Sequence, residues 1–132
     1  MKPFGKSQPI RRIEDQRFLT GAGQFVDDIA PDGAAVAYFL RAPVAHAIIT
    51  TLDVSDARDA DGVLAVLTYD DLVAAGIATD LPAVVIKNRD GSPAANPKRP
   101  LLCDGHIRHV GEAIAVIVAD TLDQAKDAAE LI

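Results

Sequence analysis

Apolar residues come in short runs along the chain, and their spacing predicts β-strands separated by turns and short helices. Val36, Tyr38 and Leu40 alternate with other residues, which is typical of a half-buried strand. In residues 112–119 every position after Glu112 is apolar, as expected of a central strand. The predicted strands are residues 24–26, 34–41, 46–52, 63–68 and 112–119.

Two short helices are predicted from capping residues and stop signals. Residues 54–61 form a polar helical turn that Gly62 ends. Thr68 is expected to cap a second helix of one to two turns, with Asp71 three residues later and Gly76 at its end.

A C-terminal amphipathic helix is predicted after the last strand. Thr121 and Gln124 are expected to form a capping box that satisfies two backbone N–H groups. Helical spacing separates an apolar face from a charged face. The apolar face is Leu122, Ala125, Ala129 and Ile132, and the charged face is Asp123, Lys126, Asp127 and Glu130. No stop signal follows, so we expect either that the chain is truncated, as the first piece of a longer one would be, or that a partner segment is absent.

The remaining segments predict connections. Residues 1–20 contain two prolines and no apolar period, and we expect an extended N-terminal arm. Residues 31–33 predict a turn and residues 87–100 a loop rich in Pro, Gly and charge. Residues 21–132 are then one α/β (α+β) domain with a mixed β-sheet. The expected core includes Val63, Val66, Ile114, Val116 and Val118.

Composition narrows the possible functions. The chain has 132 residues, 49% hydrophobic and 5% aromatic, with a formal net charge of −6. The apolar content excludes disorder by composition, and the acidic balance with few aromatics disfavours nucleic-acid binding. No secretory signal is recognisable and no apolar run approaches the ~20 residues of a membrane span. We therefore expect a cytoplasmic protein.

Charge is unevenly distributed along the chain. Residues 1–17 and 87–109 are basic, and residues 53–80 carry seven Asp against one Arg. These stretches are either solvated faces or, for the two basic ones, surfaces that meet an acidic partner.

No self-contained active site is predicted, and we expect no catalytic, cofactor-binding or metal-binding residue. Gly21 and Gly23 lack the third glycine of a nucleotide loop, so they predict a turn. Cys103 is interpreted as a small buried hydrophobic residue whose surroundings do not lower the thiol pKa. Because it is the only cysteine in the sequence, a disulfide within the chain is excluded. His106 and His109 should lie on opposite faces of an extended segment, and His46 is interpreted as partly buried.

Asp27 and Asp28 are expected on opposite faces, able to cap the following turn but unable to act as an acid–base pair. The serines, which are Ser7, Ser55 and Ser92, lie in loop or cap contexts without a partner base.

Four stretches, in order, resemble one family. Residues 5–28 contain R-I-E-D and F-L-T-G-x-G, and residues 41–47 read R-A-P-V-A-H-A. Residues 61–72 read D-G-V-L-A-V-L-T-x-x-D-L, and residues 110–131 begin V-G-E-A-I-A. The set resembles the N-terminal α/β hammerhead domain of the molybdenum-binding large subunit of xanthine dehydrogenases, aldehyde oxidases and carbon monoxide dehydrogenases. Departures from the family pattern are Ala42 for Ser, Asp61 for Pro and Ala113 for Pro.

The resemblance implies a structural and assembly domain of a molybdenum hydroxylase. Such an enzyme oxidises aldehydes, N-heterocycles or carbon monoxide with oxygen from water. It uses molybdopterin (cytosine dinucleotide), 2Fe–2S clusters and FAD, all held by other domains or subunits. The implied partners are the remaining molybdenum-binding domains and the iron–sulfur and FAD subunits or domains. Arg12, Glu14 and Asp15 are expected to help the arm dock on these partners. The alternative is a stand-alone hammerhead module that binds a partner and has no enzymatic role.

Overall fold

A computed structural model describes residues 12–82 and 86–132. The chain divides into two compact units, residues 1–34 and 35–132. The predicted arm falls partly outside the described residues, and the boundary at residue 20 stays a prediction.

In residues 12–34, the described part of the first unit, the structure has a short helix, α1 (Asp15–Leu19), and a 3-10 turn, Val26–Asp28. The helix lies where the sequence predicts extended chain. Gly21, with φ +72°, follows it, so the predicted turn at the two glycines is confirmed. The strand predicted in residues 24–26 is wrong. A carboxylate oxygen of Asp28 accepts the N–H of Phe25 at 2.8 Å, so Asp28 caps its own turn rather than the following one. In a strand this N–H of Phe25 would have to pair with a neighbouring strand, whereas here the local carboxylate satisfies it.

The second unit is built on a three-stranded antiparallel sheet. β1 (Val36–Arg41) and β3 (Val63–Leu67) flank β5 (Ala113–Ala119), in the order β1-β5-β3. The prediction that the most apolar stretch is the central strand is confirmed. The sheet is not mixed as expected, because both outer strands run antiparallel to the strand between them.

A second, two-stranded antiparallel sheet pairs β2 (Ala47–Ile48) with β4 (His106–Ile107). The strand predicted over residues 46–52 is therefore much shorter, because its partner offers only two residues. His46 precedes this strand and is exposed, so its predicted partial burial is wrong.

Three helices complete the second unit: α2 (Ser55–Arg58), α3 (Tyr69–Ala74) and α4 (Leu122–Ala129). The capping pair at the start of α3 is confirmed, since the Asp71 carboxylate accepts the N–H of Thr68 at 2.7 Å. At α4 only half of the predicted box forms. The Thr121 hydroxyl accepts the N–H of Gln124 at 3.3 Å and donates to the Gln124 side chain.

The main core lies between one face of the large sheet and helices α2 and α4. Ile117 is the largest fully buried side chain, and Ala125, Ala128 and Ala129 bring α4 close to the sheet. The predicted apolar face of α4 is wrong in one position, because Leu122 is 44% exposed while Ala128 is buried. Of the five predicted core residues, Val66 and Ile114 are buried and the other three are half-buried.

In the described residues of the second unit, the opposite face of the large sheet is partly exposed. Strand register places Phe39 and Leu67 on either side of Val116, and these two outer side chains are 43% and 38% exposed. We call Phe39, Leu67, Val116 and Val118 the open sheet face. Its apolar composition is unusual for a surface in contact with water.

Candidate functional site: a cationic groove

A buried carboxylate organises the segment between β4 and β5. Glu112 is only 6% exposed and accepts the backbone N–H of Arg108 at 2.5 Å and its Nη1 at 3.1 Å. His109 Nδ1 lies 3.8 Å from the same carboxylate. The V-G-E sequence thus turns a tight corner, with Gly111 at φ +84° just before the glutamate.

Arg108 connects this carboxylate to a second acid. Its Nη2 donates to both oxygens of Asp104, at 2.8 and 3.0 Å. Partial desolvation raises the pKa of Asp104, but the hydrogen bond and charge of Arg108 outweigh it and hold this pKa below its usual value. The Asp104 hydrogen bond in turn raises the pKa of Arg108. The charge of Arg108 is therefore fully compensated by Asp104 and Glu112, and the cluster keeps one excess negative charge.

A groove of about 420 Å³ opens beside this cluster. We call it the cationic groove. Its polar rim is Arg41, Lys98, Arg99, Arg108, His109 and Glu112. Leu81, Pro100, Leu101 and Ala113 supply apolar lining.

Two of its arginines are held by backbone carbonyls. Arg41 Nη1 donates to the carbonyl oxygen of Gly111 at 2.8 Å, and Arg99 Nη2 donates to that of Pro82 at 2.7 Å. The Arg41 guanidinium also lies 5.4 Å from the ring centroid of Phe39. Neither arginine forms an ion pair within the described part of the chain.

A second, smaller cavity of about 240 Å³ lies near Cys103. The thiol is 4% exposed, and burial raises its pKa, so the predicted buried cysteine without a lowered thiol pKa is confirmed. The other lining residues are Ile49, Thr50, Thr51, Leu52, Thr68, Tyr69, Asp70, Asp104 and Gly105. The negative charges of Asp104 and Glu112 raise the pKa of the thiol further, so this cavity does not favour a thiolate nucleophile.

The other sequence candidates do not converge on a site. Ser55 and Ser92 each bond to the aspartate two residues before them, Asp53 and Asp90, in local turns. Ser7 lies outside the described residues. In residues 12–82 and 86–132, no group of three or more His, Cys, Asp or Glu is placed to hold a metal ion. The same residues contain no helix long and apolar enough to span a bilayer.

Sequence reasoning identified the basic stretch of residues 87–109 but not the groove itself. Arg41 lies far from Lys98 and Arg99 in sequence, and only the tertiary fold brings these residues to the same groove. The available signal was the basic stretch itself, which supplies three of the cationic residues.

The architecture defines the class of domain: two small antiparallel sheets, with helices covering one face of the larger. Residues 20–132 match the family described as aldehyde oxidase and xanthine dehydrogenase, a/b hammerhead domain. The chain therefore belongs to this family, and the resemblance and fold class drawn from the sequence are confirmed.

Individual relatives agree with this assignment. The chain is 39% identical to the nicotine 6-hydroxylase large subunit of Paenarthrobacter nicotinovorans, covering 98% of this chain and 15% of that protein. It is 31% identical to the xanthine dehydrogenase molybdenum-binding subunit of Escherichia coli O157:H7, covering 92% and 16%. The crystal structure of quinoline 2-oxidoreductase from Pseudomonas putida 86 superposes with a TM-score of 0.80 at 36% identity, covering 92% and 15%. The chain thus spans about 15% of the length of these relatives.

Proposed function

We propose that this chain is a structural and assembly domain of a molybdenum hydroxylase large subunit. The observation that carries the proposal is the match of residues 20–132 to one domain family whose relatives are about six times longer, since the chain covers 15% of them. The complete enzyme would oxidise an aldehyde, an N-heterocycle or carbon monoxide with oxygen from water, in the cytoplasm.

The cofactors of such an enzyme are assigned to other domains or subunits. A 2Fe–2S cluster takes four cysteine thiolates, or two with two histidines, and this chain has one buried cysteine. Its residues therefore do not fit an iron–sulfur cluster. Molybdopterin and FAD are likewise assigned to other domains or subunits of the enzyme.

The open sheet face supports the assembly role. Phe39 and Leu67 present apolar surface that the described part of the second unit leaves partly exposed. A domain that functions within a larger chain can bury such a face against its neighbours, whereas an isolated one exposes it to water. The partners proposed for this role are the remaining molybdenum-binding domains and the iron–sulfur and FAD subunits or domains.

Metal and pterin analysis tests the proposal. The protein is purified with the products of the neighbouring genes, and molybdenum and released pterin are measured in the complex. We expect both in stoichiometric amounts in the assembly. A complex that contains this chain but no molybdenum would contradict the assignment and would favour the stand-alone interaction module.

The N-terminal arm provides a second test. Deleting residues 1–20 should leave the circular-dichroism spectrum and unfolding midpoint of the chain nearly unchanged, because residues 35–132 form a compact unit of their own. Co-purification with the partners should weaken. Arg12 and Glu14, exposed and 3.7 Å apart, are the groups available in the described part of the arm. Unchanged assembly would show that the arm has no docking role.

A further inference from the structure

We propose that the cationic groove binds an acidic segment of a partner polypeptide, with carboxylates on its fixed arginines and an apolar residue on its floor. This inference adds a partner-binding surface to the proposed function and does not depend on any cofactor. It also decides between the two interpretations of the basic stretch in residues 87–109, in favour of a surface that meets an acidic partner.

The charge of the groove is the first argument. Arg41, Lys98 and Arg99 form no ion pair within residues 12–82 and 86–132, whereas Arg108 is compensated by its own acids. Arg108, Asp104 and Glu112 together carry one excess negative charge, so Arg41, Lys98 and Arg99 leave the groove with two net positive charges on a chain whose formal net charge is −6. A concave positive site on an otherwise acidic chain attracts anionic groups of a partner.

The second argument is preorganisation. Arg41 is held by the Gly111 carbonyl and lies over the Phe39 ring, and Arg99 is held by the Pro82 carbonyl. Each guanidinium has five N–H donors and the structure uses one of them here. The rest can pair with a carboxylate, and a side chain that is already fixed loses less entropy on binding.

The third argument is the apolar lining, which distinguishes a polypeptide from a small anion. Leu81 is 48% exposed and Leu101 is 40% exposed, and Pro100 adds to this lining. Arginine beside apolar side chains is typical of the centre of protein–protein interfaces. A phosphate or a single carboxylate would leave both leucines and most of the 420 Å³ unfilled.

Peptide binding by the full 132-residue chain tests the inference. The probe is a fluorescein-labelled peptide of sequence Glu-Leu-Glu-Glu-Leu-Glu, and binding is followed by fluorescence anisotropy. We expect saturable binding that weakens about tenfold or more between about 20 mM and 200 mM NaCl, because screening shortens the reach of the charges. A peptide in which every Glu is replaced by Lys should not bind.

Charge-reversal variants locate the binding. Arg99→Glu and Lys98→Glu should each weaken probe binding about tenfold, which is the effect of losing about 1.4 kcal/mol. Lys126→Glu is the matched control, since it makes the same charge change on the exposed face of α4, away from the groove, and should change binding less than about twofold. Circular dichroism of each variant verifies that it is folded.

Three results would overturn the inference. The first is a control variant that weakens binding as much as the groove variants, which would mean that only net charge matters. The second is equal binding of the Lys peptide. The third is displacement of the probe by inorganic phosphate beyond that by chloride of equal ionic strength, which would make the groove a small-anion site. None of these results bears on molybdenum in the assembled enzyme, so the proposed function is tested separately.

Discussion

Replacing Glu112 with alanine tests whether the buried carboxylate holds the corner between β4 and β5. The carboxylate is 6% exposed and accepts two hydrogen bonds from Arg108, one from the backbone and one from the guanidinium. Alanine removes both acceptors and leaves the backbone N–H of Arg108 without its partner.

The magnitude follows from how exposed the two donors are. A hydrogen bond to a charged group contributes about 1.5–3 kcal/mol. The Arg108 side chain is 37% exposed and keeps Asp104, so water can replace most of its lost bond. The backbone bond carries most of the loss, and we expect Glu112→Ala to reduce the free energy of unfolding by about 2–3 kcal/mol.

Glutamine at the same position separates shape from charge. Its single amide oxygen can accept from one donor of Arg108, and its NH₂ group then faces the other donor. Glu112→Gln should therefore lose about half as much stability as the alanine variant.

Urea denaturation followed by far-ultraviolet circular dichroism measures these differences. Glu130→Ala, an exposed glutamate at the end of α4, is the control and should shift stability by less than about 0.5 kcal/mol. A loss below about 0.5 kcal/mol for Glu112→Ala, or an equal loss for both Glu112 variants, would refute the assigned role of the buried hydrogen bonds.

Three further changes test local features. Gly62→Ala and Gly76→Ala should each lose about 1–2 kcal/mol in urea unfolding, because both glycines have positive φ. The added Cβ at Gly62 meets only the flexible end of the Gln124 side chain, which can move aside, so a much larger loss at Gly62 than at Gly76 would contradict this. The hydrogen bond from the Thr68 hydroxyl is the largest cause of the lowered pKa of Asp71, and the backbone N–H of Thr68 and the charge of Arg58 lower this pKa further. The interaction therefore stabilises the fold above the carboxyl's unfolded pKa of about 3.9, and this stability is lost as the pH falls through the lower folded pKa. Thr68→Ala should then lose about 1 kcal/mol near pH 6 and less near pH 2, and a pH-independent loss would refute this linkage. Cys103 should react with a thiol reagent slowly when folded and rapidly in urea, and rapid native labelling would contradict its burial.

The elements that the sequence predicted correctly are those whose signal is local. The stretch at residues 113–119 has no polar face, so only a central strand can bury it. Thr68 and Asp71 lie three residues apart, and their bonds form within one helical turn. The alternation in β1 likewise places Val36, Tyr38 and Leu40 on the half-buried side.

The elements that the sequence missed depend on distant partners. β4 is two residues long and exists because β2 lies beside it, so neither strand can be delimited from its own residues. His46 was expected to be partly buried, but nothing packs over the residue that precedes so short a strand. The cationic groove joins Arg41 to Lys98 and Arg99 through the tertiary fold, which no local pattern encodes.

Arg41 links the two surfaces that carry the proposals. Its guanidinium lies over Phe39 on the open sheet face, and its Nη1 bonds to Gly111 at the groove. Apolar surface and fixed positive charge are therefore contiguous, as in interfaces whose centre is apolar and whose arginines provide specificity. A solvated basic face would not require its arginines to be held by carbonyls, because free side chains are equally well hydrated and keep their entropy. The restraint on Arg41 and Arg99 is thus better explained by binding than by solubility.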